Sequence, residues 1–118
     1  MIVMLTQDLS KGFATWKEMY LKNKNQLNSL GGKLIFAGPH KDDNNKMMVL
    51  MEFDSPESMK AFAGHEELRA KRAAAGAILE SNVVTVMGDE AFTEGVVFII
   101  YPSSLRGLVA ILVKSLYS

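Results

Sequence analysis

The sequence has no cysteine and no excess of charge of either sign. Without cysteine there can be no disulfide framework, no thiolate nucleophile and no zinc site with Cys ligands. The 118 residues include 13 Lys+Arg and 13 Asp+Glu, whereas dedicated nucleic-acid binders usually carry a basic surplus. We therefore expect no nucleic-acid partner. We predict a cytoplasmic location, with which the lack of cysteine is compatible.

Long hydrophobic runs are also missing. The most apolar stretch, residues 95–118, is interrupted by Pro102-Ser103-Ser104 and by Arg106. A membrane-spanning helix needs about 20 consecutive apolar residues, and the N-terminus lacks the basic region of a signal peptide. We therefore predict no membrane partner. What the chain does contain is 48% hydrophobic residues, over a length that suits one compact domain.

Apolar periodicity and turn-forming residues predict elements in the order βαββαβ. The four predicted strands cover residues 2–6, 33–37, 46–53 and 83–87. The polar segment Gly38–Asn45, between the second and third strands, is predicted to form a hairpin loop. In the second strand, simple alternation places Leu34 and Phe36 on one face and Ile35 and Ala37 on the other.

Start and stop signals delimit two helices between these strands. Asp8 or Ser10 offers an N-cap oxygen for the first helix, and Gly31-Gly32 ends it. The signals of the second helix are the Ser55 cap, Pro56 at its first position, an interruption at Gly64-His65, resumption over Glu66–Ala75 and closure at Gly76.

This order on a short chain predicts an α+β fold of the ferredoxin-like type, an antiparallel sheet with two helices on one face. Both faces of the strands are apolar, because Met47, Val49 and Met51 alternate with Met48 and Leu50. A sheet with one solvated face should instead alternate hydrophobic with polar residues. We therefore expect a second copy of the chain to cover the free face, giving a homodimer or a higher homo-oligomer.

Several of these signals together resemble a known superfamily. They are Trp16 in the first helix, Gly31-Gly32 before the second strand, the run Val49–Ser58, Phe62, and His65-Glu66-Glu67-Leu68 followed by Arg69–Gly76. This pattern spans residues 1–92. It resembles the dimeric α+β barrel superfamily, near its small antibiotic-biosynthesis-monooxygenase-like and uncharacterised stress-type members.

The resemblance implies a dimeric α+β barrel with an aromatic pocket between helix and sheet. Members of the superfamily include cofactor-free monooxygenases, haem-degrading enzymes, lactone isomerases, polyketide cyclases and proteins without a known activity. The haem-degrading branch uses an Asn on its first strand and a Trp beside the sheet. Here the first strand has no Asn and the single tryptophan, Trp16, falls on a helix. This departure counts against haem, and we expect no cofactor.

Six side chains are candidates for the pocket. They are Trp16, Tyr20, Phe36, Met51, Phe62 and His65. Trp16 and Tyr20 share a helix face, although an aromatic stripe at this spacing is more often core packing. His65 is the candidate catalytic residue, because histidine titrates near neutrality and suits acid–base work. Its structural alternative is to pack or cap at the helix break.

Glu52 is a carboxylate on the face expected to meet a second copy. It either reaches water at the strand end, pairs with a cation across the interface, or acts as a base with a raised pKa. His40 is expected to be a solvated loop residue. No His/Asp/Glu spacing matches a metal motif, so we expect no metal.

These observations favour a small homodimeric domain that encloses an apolar pocket and binds a small hydrophobic molecule. One alternative is a cofactor-free monooxygenase or an isomerase or cyclase that acts on an aromatic or lactone substrate through Trp16, Tyr20 and His65. Another is a structural or regulatory interaction module whose pocket is filled by methionines.

Residues 93–118 form a predicted C-terminal extension beyond the 1–92 domain. Val96–Tyr101 is a run of six strand formers, and Leu105, Leu108, Val109 and Leu112 then recur at helical spacing. So large an apolar surface marks a binding or packing site. We expect an added strand and a helix that pack on the same domain or on its dimer partner. Truncation after Glu94 is then expected to reduce solubility or dissociate the dimer.

Overall fold

The computed structural model describes residues 1–94. In chain order the elements are β1 Ile2–Asp8, α1 Phe13–Ser29, β2 Gly32–His40, β3 Asp43–Phe53, α2 Pro56–Ala63, α3 Glu66–Ala74 and β4 Val83–Val86. A single 3₁₀ turn at Leu79–Ser81 precedes β4. The predicted βαββαβ order is confirmed, with the second helix in two parts. The strand and helix predicted between residues 96 and 117 lie outside the described residues.

The four strands form one sheet in the order β2-β3-β1-β4. All three of its strand pairings are antiparallel. Within residues 1–94 the first and third strands therefore occupy the centre, and β2 and β4 are the outer strands. This arrangement confirms the predicted ferredoxin-like α+β fold.

The core lies between this sheet and the helices. Its buried side chains are Val3, Leu5, Leu9, Trp16, Leu27, Met47, Val49, Met51, Phe53 and Ala77. Alternate residues of β1 and β3 supply most of them, as the two-residue period of a strand requires. Burial of each large side chain contributes roughly 1.5–3 kcal/mol before the cost of ordering it.

The opposite face of the sheet is also apolar. Phe36, Leu50 and Met4 are cross-strand neighbours in one row, and Met48 and Val83 belong to the next. Within residues 1–94, Phe36 remains 49% exposed and Val83 61% exposed. The open face, defined by these five residues, is the second apolar face that the strand pattern predicted.

The start of α1 differs from the sequence prediction. Asp8 and Ser10 are not its caps, because β1 continues through Asp8, which pairs with Lys46. The N-cap is Gly12, which has φ of 83° and makes no side-chain capping bond. The Gly12 N–H donates instead to Asn45 Oδ1 at 2.9 Å. The long strand therefore moves the helix start to Phe13.

The predicted eight-residue hairpin loop is wrong in length. The structure continues both strands through most of Gly38–Asn45, so that only Lys41 and Asp42 make the turn between β2 and β3. Pro39 lies opposite Met47 in the ladder. Polar side chains do not prevent backbone pairing on an exposed hairpin, and composition alone therefore overestimated the loop.

A β-bulge in β2 changes the faces predicted for that strand. Leu34 pairs with Met51, but Phe36 pairs with Leu50, so Ile35 is an extra residue on its side of the ladder. A bulge of this kind shifts the inward and outward alternation by one. Phe36 consequently lies on the open face, whereas Leu34 and Ala37 pack against the core.

The break between α2 and α3 falls where the sequence placed it, at Gly64-His65. Ser55 caps α2 by accepting a hydrogen bond from the Ser58 N–H at 3.1 Å, and Pro56 occupies the first turn.

No helix among residues 1–94 is long and apolar enough to cross a membrane.

Candidate ligand-binding site

Two neighbouring cavities between the helices and the core face of the sheet share part of their walls. The smaller has a volume of about 40 Å³, enough for a few water molecules, since each needs about 10–15 Å³. Its walls are Trp16, Met19, Tyr20, Asn23, Leu27, Leu34, Met51, Phe62, Leu68 and Arg72. Trp16 stacks on Tyr20 with ring centroids 5.9 Å apart. Burial raises the pKa of the Tyr20 hydroxyl.

The larger cavity has a volume of about 210 Å³ and lies nearer to β4. Its walls are Val3, Leu5, Phe53, Met59, Phe62, Ala63, Arg69, Arg72, Asn82 and Val84. Seven of these ten residues are apolar, and the polar ones are two arginines and an asparagine. A mainly apolar wall with few convergent polar groups is the usual composition of a small-molecule site.

Phe62 and Arg72 line both cavities and form the wall between them. The Arg72 guanidinium carbon lies 5.0 Å from the centroid of the Phe62 ring, a cation–π distance. Phe62 in turn packs against Phe53, with ring centroids 5.6 Å apart. Two side chains therefore separate the smaller space beside α1 from the larger one beside β4.

Arg72 lacks a protein hydrogen-bond acceptor for one buried nitrogen. Its Nε atom is buried and has no partner within residues 1–94. Burial lowers the pKa of Arg72, and the nearby charge of Arg69 lowers it further. A guanidinium nevertheless stays charged at neutral pH. The larger cavity therefore has a cation in its wall whose hydrogen-bonding capacity is not used.

Asn82 brings a second unused polar atom to the same cavity. Its Oδ1 atom is buried without a hydrogen-bond donor in the described part of the chain. Asn82 lies directly before β4, in the segment that follows the 3₁₀ turn. Buried polar atoms in proteins are nearly always paired with protein, water or ligand. Arg72 and Asn82, together with Arg69, are the polar residues that line this cavity.

The structure brings four of the six predicted pocket residues together. Trp16, Tyr20, Met51 and Phe62 all line the smaller cavity. Trp16 and Met51 also belong to the buried core, so these two side chains both pack in the core and line the cavity. The interior spacing of α1 and α2 and the alternation of β3 were sufficient to place these four.

His65 is in neither of the two cavities. It is the N-cap of α3, where its Nδ1 atom accepts a hydrogen bond from the Leu68 N–H at 3.3 Å. This is the structural alternative considered for it, capping at the helix break. Phe36 is also absent from both walls because the bulge at Ile35 turns it to the open face.

Glu52 and His40 lie away from both cavities as well. Glu52 is exposed near the end of β3, directly opposite Lys33 in the ladder. Of its three considered roles, this position fits a carboxylate that reaches water. His40 is exposed at the hairpin. Among residues 1–94 no group of three His, Asp or Glu side chains could hold a metal ion.

The polar part of the larger cavity was not predicted from the sequence, although one signal for it exists. Leu68 and Ala75 are the buried residues of α3 and its C-cap, and Arg72 lies on the same helical stripe, four residues after Leu68. A cation on the stripe that faces the sheet is unusual. Asn82 has no comparable signal, since it stands in a connection without periodicity.

The fold has counterparts among solved structures. No protein-family model matches the sequence, and no match is found among curated proteins. Among solved structures, a proposed antibiotic biosynthesis monooxygenase from Nitrosomonas europaea is 17% identical, with a TM-score of 0.54, over 77% of this chain and 100% of that one. A second antibiotic biosynthesis monooxygenase is 12% identical, with a TM-score of 0.56 and the same two coverages.

A third similar structure is a monooxygenase of Streptomyces coelicolor in complex with Nanaomycin D. It is 13% identical, with a TM-score of 0.50, over 80% of this chain and 92% of that one. Structural similarity at such low sequence identity establishes the fold alone. The chain therefore has the same fold as these three structures, and the predicted resemblance is confirmed as a likeness of fold.

Proposed function

We propose that the chain binds a small, mainly apolar molecule in the larger cavity, and that it does so as a homodimer. The observation that carries this proposal is the cavity itself, about 210 Å³ with seven apolar wall residues and three polar ones. Ligand pockets usually measure about 300–1,000 Å³. The ligand is therefore small, of the size of one or two fused rings.

The wall between the cavities limits the length of a ligand that fits without moving Phe62 or Arg72. Rotation of Phe62 away from Arg72 joins the larger cavity to the space beside Trp16 and Tyr20. The cation–π contact at 5.0 Å holds this wall in place and contributes about 0.5–2 kcal/mol. A longer ligand displaces that contact and reaches the aromatic side chains of α1.

The homodimer is supported by the open face. Its exposed apolar side chains would leave a contiguous patch in water, which monomeric proteins rarely do. A second copy presenting the same face covers it with two-fold symmetry.

A cytoplasmic location remains a prediction from the sequence.

The catalytic alternative is not favoured, because His65 lies apart from Trp16 and Tyr20. A monooxygenase or isomerase acting through Trp16, Tyr20 and His65 requires one space that all three side chains share. Trp16 and Tyr20 share the smaller cavity, but His65 caps α3 outside it. The interaction-module alternative required methionines to fill the pocket, whereas Met51 and Met59 line open space.

Cavity filling tests the proposed function. Ala63→Leu adds a larger side chain to the wall of the larger cavity, whereas Ala61→Leu makes the same change on the same helix at a position that lines neither cavity. Calorimetric titration with 2-naphthoate and 2-naphthamide is expected to give saturable binding to the parent chain and to Ala61→Leu. Ala63→Leu should weaken it by about tenfold or more, because the added atoms occupy ligand space.

Native mass spectrometry of the purified protein gives a second measurement, since a co-purified small molecule appears as added mass. The proposal is wrong if neither naphthalene compound binds and no small molecule co-purifies. It is also wrong if Ala63→Leu and Ala61→Leu bind equally well, because the ligand then lies elsewhere.

A further inference from the structure

We infer that the ligand of the larger cavity is an organic oxyanion, an apolar body that carries a carboxylate, and that Arg72 receives the carboxylate. This inference rests on the proposed function and specifies the substrate class of the same site. It follows from the chemistry of the cavity wall, where a buried Arg72 nitrogen and a buried Asn82 oxygen both lack partners within residues 1–94.

Arg72 is held in the cavity wall by its surroundings. It stands on the inward stripe of α3, four residues after the buried Leu68, and its guanidinium lies over the Phe62 ring. The stacked ring and the helix fix the direction of the guanidinium, which reduces the ordering cost of binding. A preorganised guanidinium next to an apolar wall is suited to a carboxylate on an apolar body.

Within residues 1–94 no carboxylate forms an ion pair with Arg72. All 13 of its Asp and Glu residues lie within the described range, since none follows Glu94. The ion pairs of that range join Lys22 to Glu18 and Lys71 to Glu67. Arg69, the other cation of the cavity, adds a like charge, and its guanidinium donates to the Ala63 carbonyl at 3.4 Å. A bound anion relieves this repulsion.

Asn82 refines the ligand further. Its buried Oδ1 atom is an acceptor that needs a donor, whereas Arg72 Nε is a donor that needs an acceptor. A carboxylate satisfies Arg72, and a hydroxyl on the same ligand, or a water that the carboxylate orders, satisfies Asn82. The apolar remainder packs on Val3, Phe53 and Val84, which line the rest of the cavity.

The test compares 2-naphthoate with its neutral isostere 2-naphthamide at neutral pH by calorimetric titration. The parent chain is expected to bind the carboxylate at least about tenfold more tightly than the amide, the usual effect of one charge-assisted hydrogen bond. Arg72→Met should abolish this preference and retain binding of the amide. Lys60→Met removes an equal charge from an exposed position of α2 and should keep the preference.

Asn82→Asp provides a second variant that does not depend on the folding of Arg72→Met. A carboxylate at position 82 supplies Arg72 with an anion from the chain, so binding of 2-naphthoate should fall while binding of 2-naphthamide persists. The inference is overturned if the parent chain binds both compounds equally, an outcome that leaves the proposed function intact. If neither compound binds, the inference is overturned, and the proposed function is overturned with it when no small molecule co-purifies.

Discussion

His65 combines the residue type of a general base with the position of a structural cap. Its Nδ1 atom accepts the Leu68 N–H bond, one of the four that the start of α3 leaves without an intrahelical partner. The sequence could place His65 at the helix break because Gly64 precedes it. The sequence could not distinguish capping from catalysis, because a histidine at a helix break is compatible with both.

Substitution of His65 separates these two roles. His65→Ala is expected to lower the free energy of unfolding by about 1 kcal/mol through loss of the cap, and His65→Asn should restore most of it. Urea denaturation measures both changes. Neither variant should alter the affinity for 2-naphthoate, because His65 lies outside both cavities. A loss of affinity in His65→Asn with unchanged stability would contradict the capping role.

Whether the other site residues could be predicted depends on how close along the chain the sequence features that place them lie. Trp16, Tyr20 and Phe62 are placed by helical spacing alone, which depends only on neighbours along the chain. The placement of Arg72 was also encoded, by its four-residue separation from Leu68. Asn82 faces the cavity because β4 pairs with β1, a long-range contact that no short window of sequence contains.

At the scale of elements, the bulge in β2 shows where alternation fails as a guide. Ile35 and Phe36 are both apolar, so either could have faced the core on the strand pattern alone. The register with β3 decides, since it pairs Leu34 with Met51 and Phe36 with Leu50. A one-residue shift moves every later side chain to the other face. The same shift places Phe36 on the open face.

The connection between α1 and β2 depends on a glycine. Gly31 has φ of +86°, and a Cβ atom there would lie 2.6 Å from Ser58 Oγ and 3.0 Å from Asp54 Oδ2. Ser58 cannot yield freely, because its hydroxyl is 3.1 Å from Ser55 Oγ, the cap of α2. Gly31→Ala should therefore strain the turn and disturb the α2 cap together, at a cost of about 1–3 kcal/mol.

The control for this change is Gly88→Ala, because an added Cβ there meets nothing within 4 Å. It should alter the free energy of unfolding by no more than about 0.5 kcal/mol. Thermal and urea denaturation of the two variants provide the comparison. Equal stability of Gly31→Ala and Gly88→Ala would show that the turn tolerates a side chain, contrary to this expectation.

At the scale of the whole molecule, strand order and cavities differ in how far sequence determines them. The βαββαβ order could be predicted because caps, glycines and strand alternation act locally and agree with one another. The two cavities are what remains after α2 and α3 have packed on the sheet at one particular height and angle. Their volumes depend on how many side chains pack together, and no sequence pattern encodes that packing.

The open face predicts the assembly of the molecule. Leu50 lies at its centre, with Phe36 and Met4 beside it in the same row and Met48 two residues before it on β3. In a two-fold dimer this residue meets its own copy or a near neighbour. We expect the parent chain to run at twice its mass of 13.0 kDa in size-exclusion chromatography with light scattering, and its melting temperature to rise with concentration.

Leu50→Asp should dissociate this dimer, because each interface would then bury two carboxylates without partners. Its matched control, Asn25→Asp, adds the same charge at an exposed position of α1 and should remain dimeric. Light scattering at several concentrations distinguishes a shift in equilibrium from complete dissociation, and circular dichroism verifies that Leu50→Asp stays folded. A folded Leu50→Asp variant that remains dimeric would show that the copies meet through another surface. A parent chain that is monomeric at every concentration would refute the homodimer.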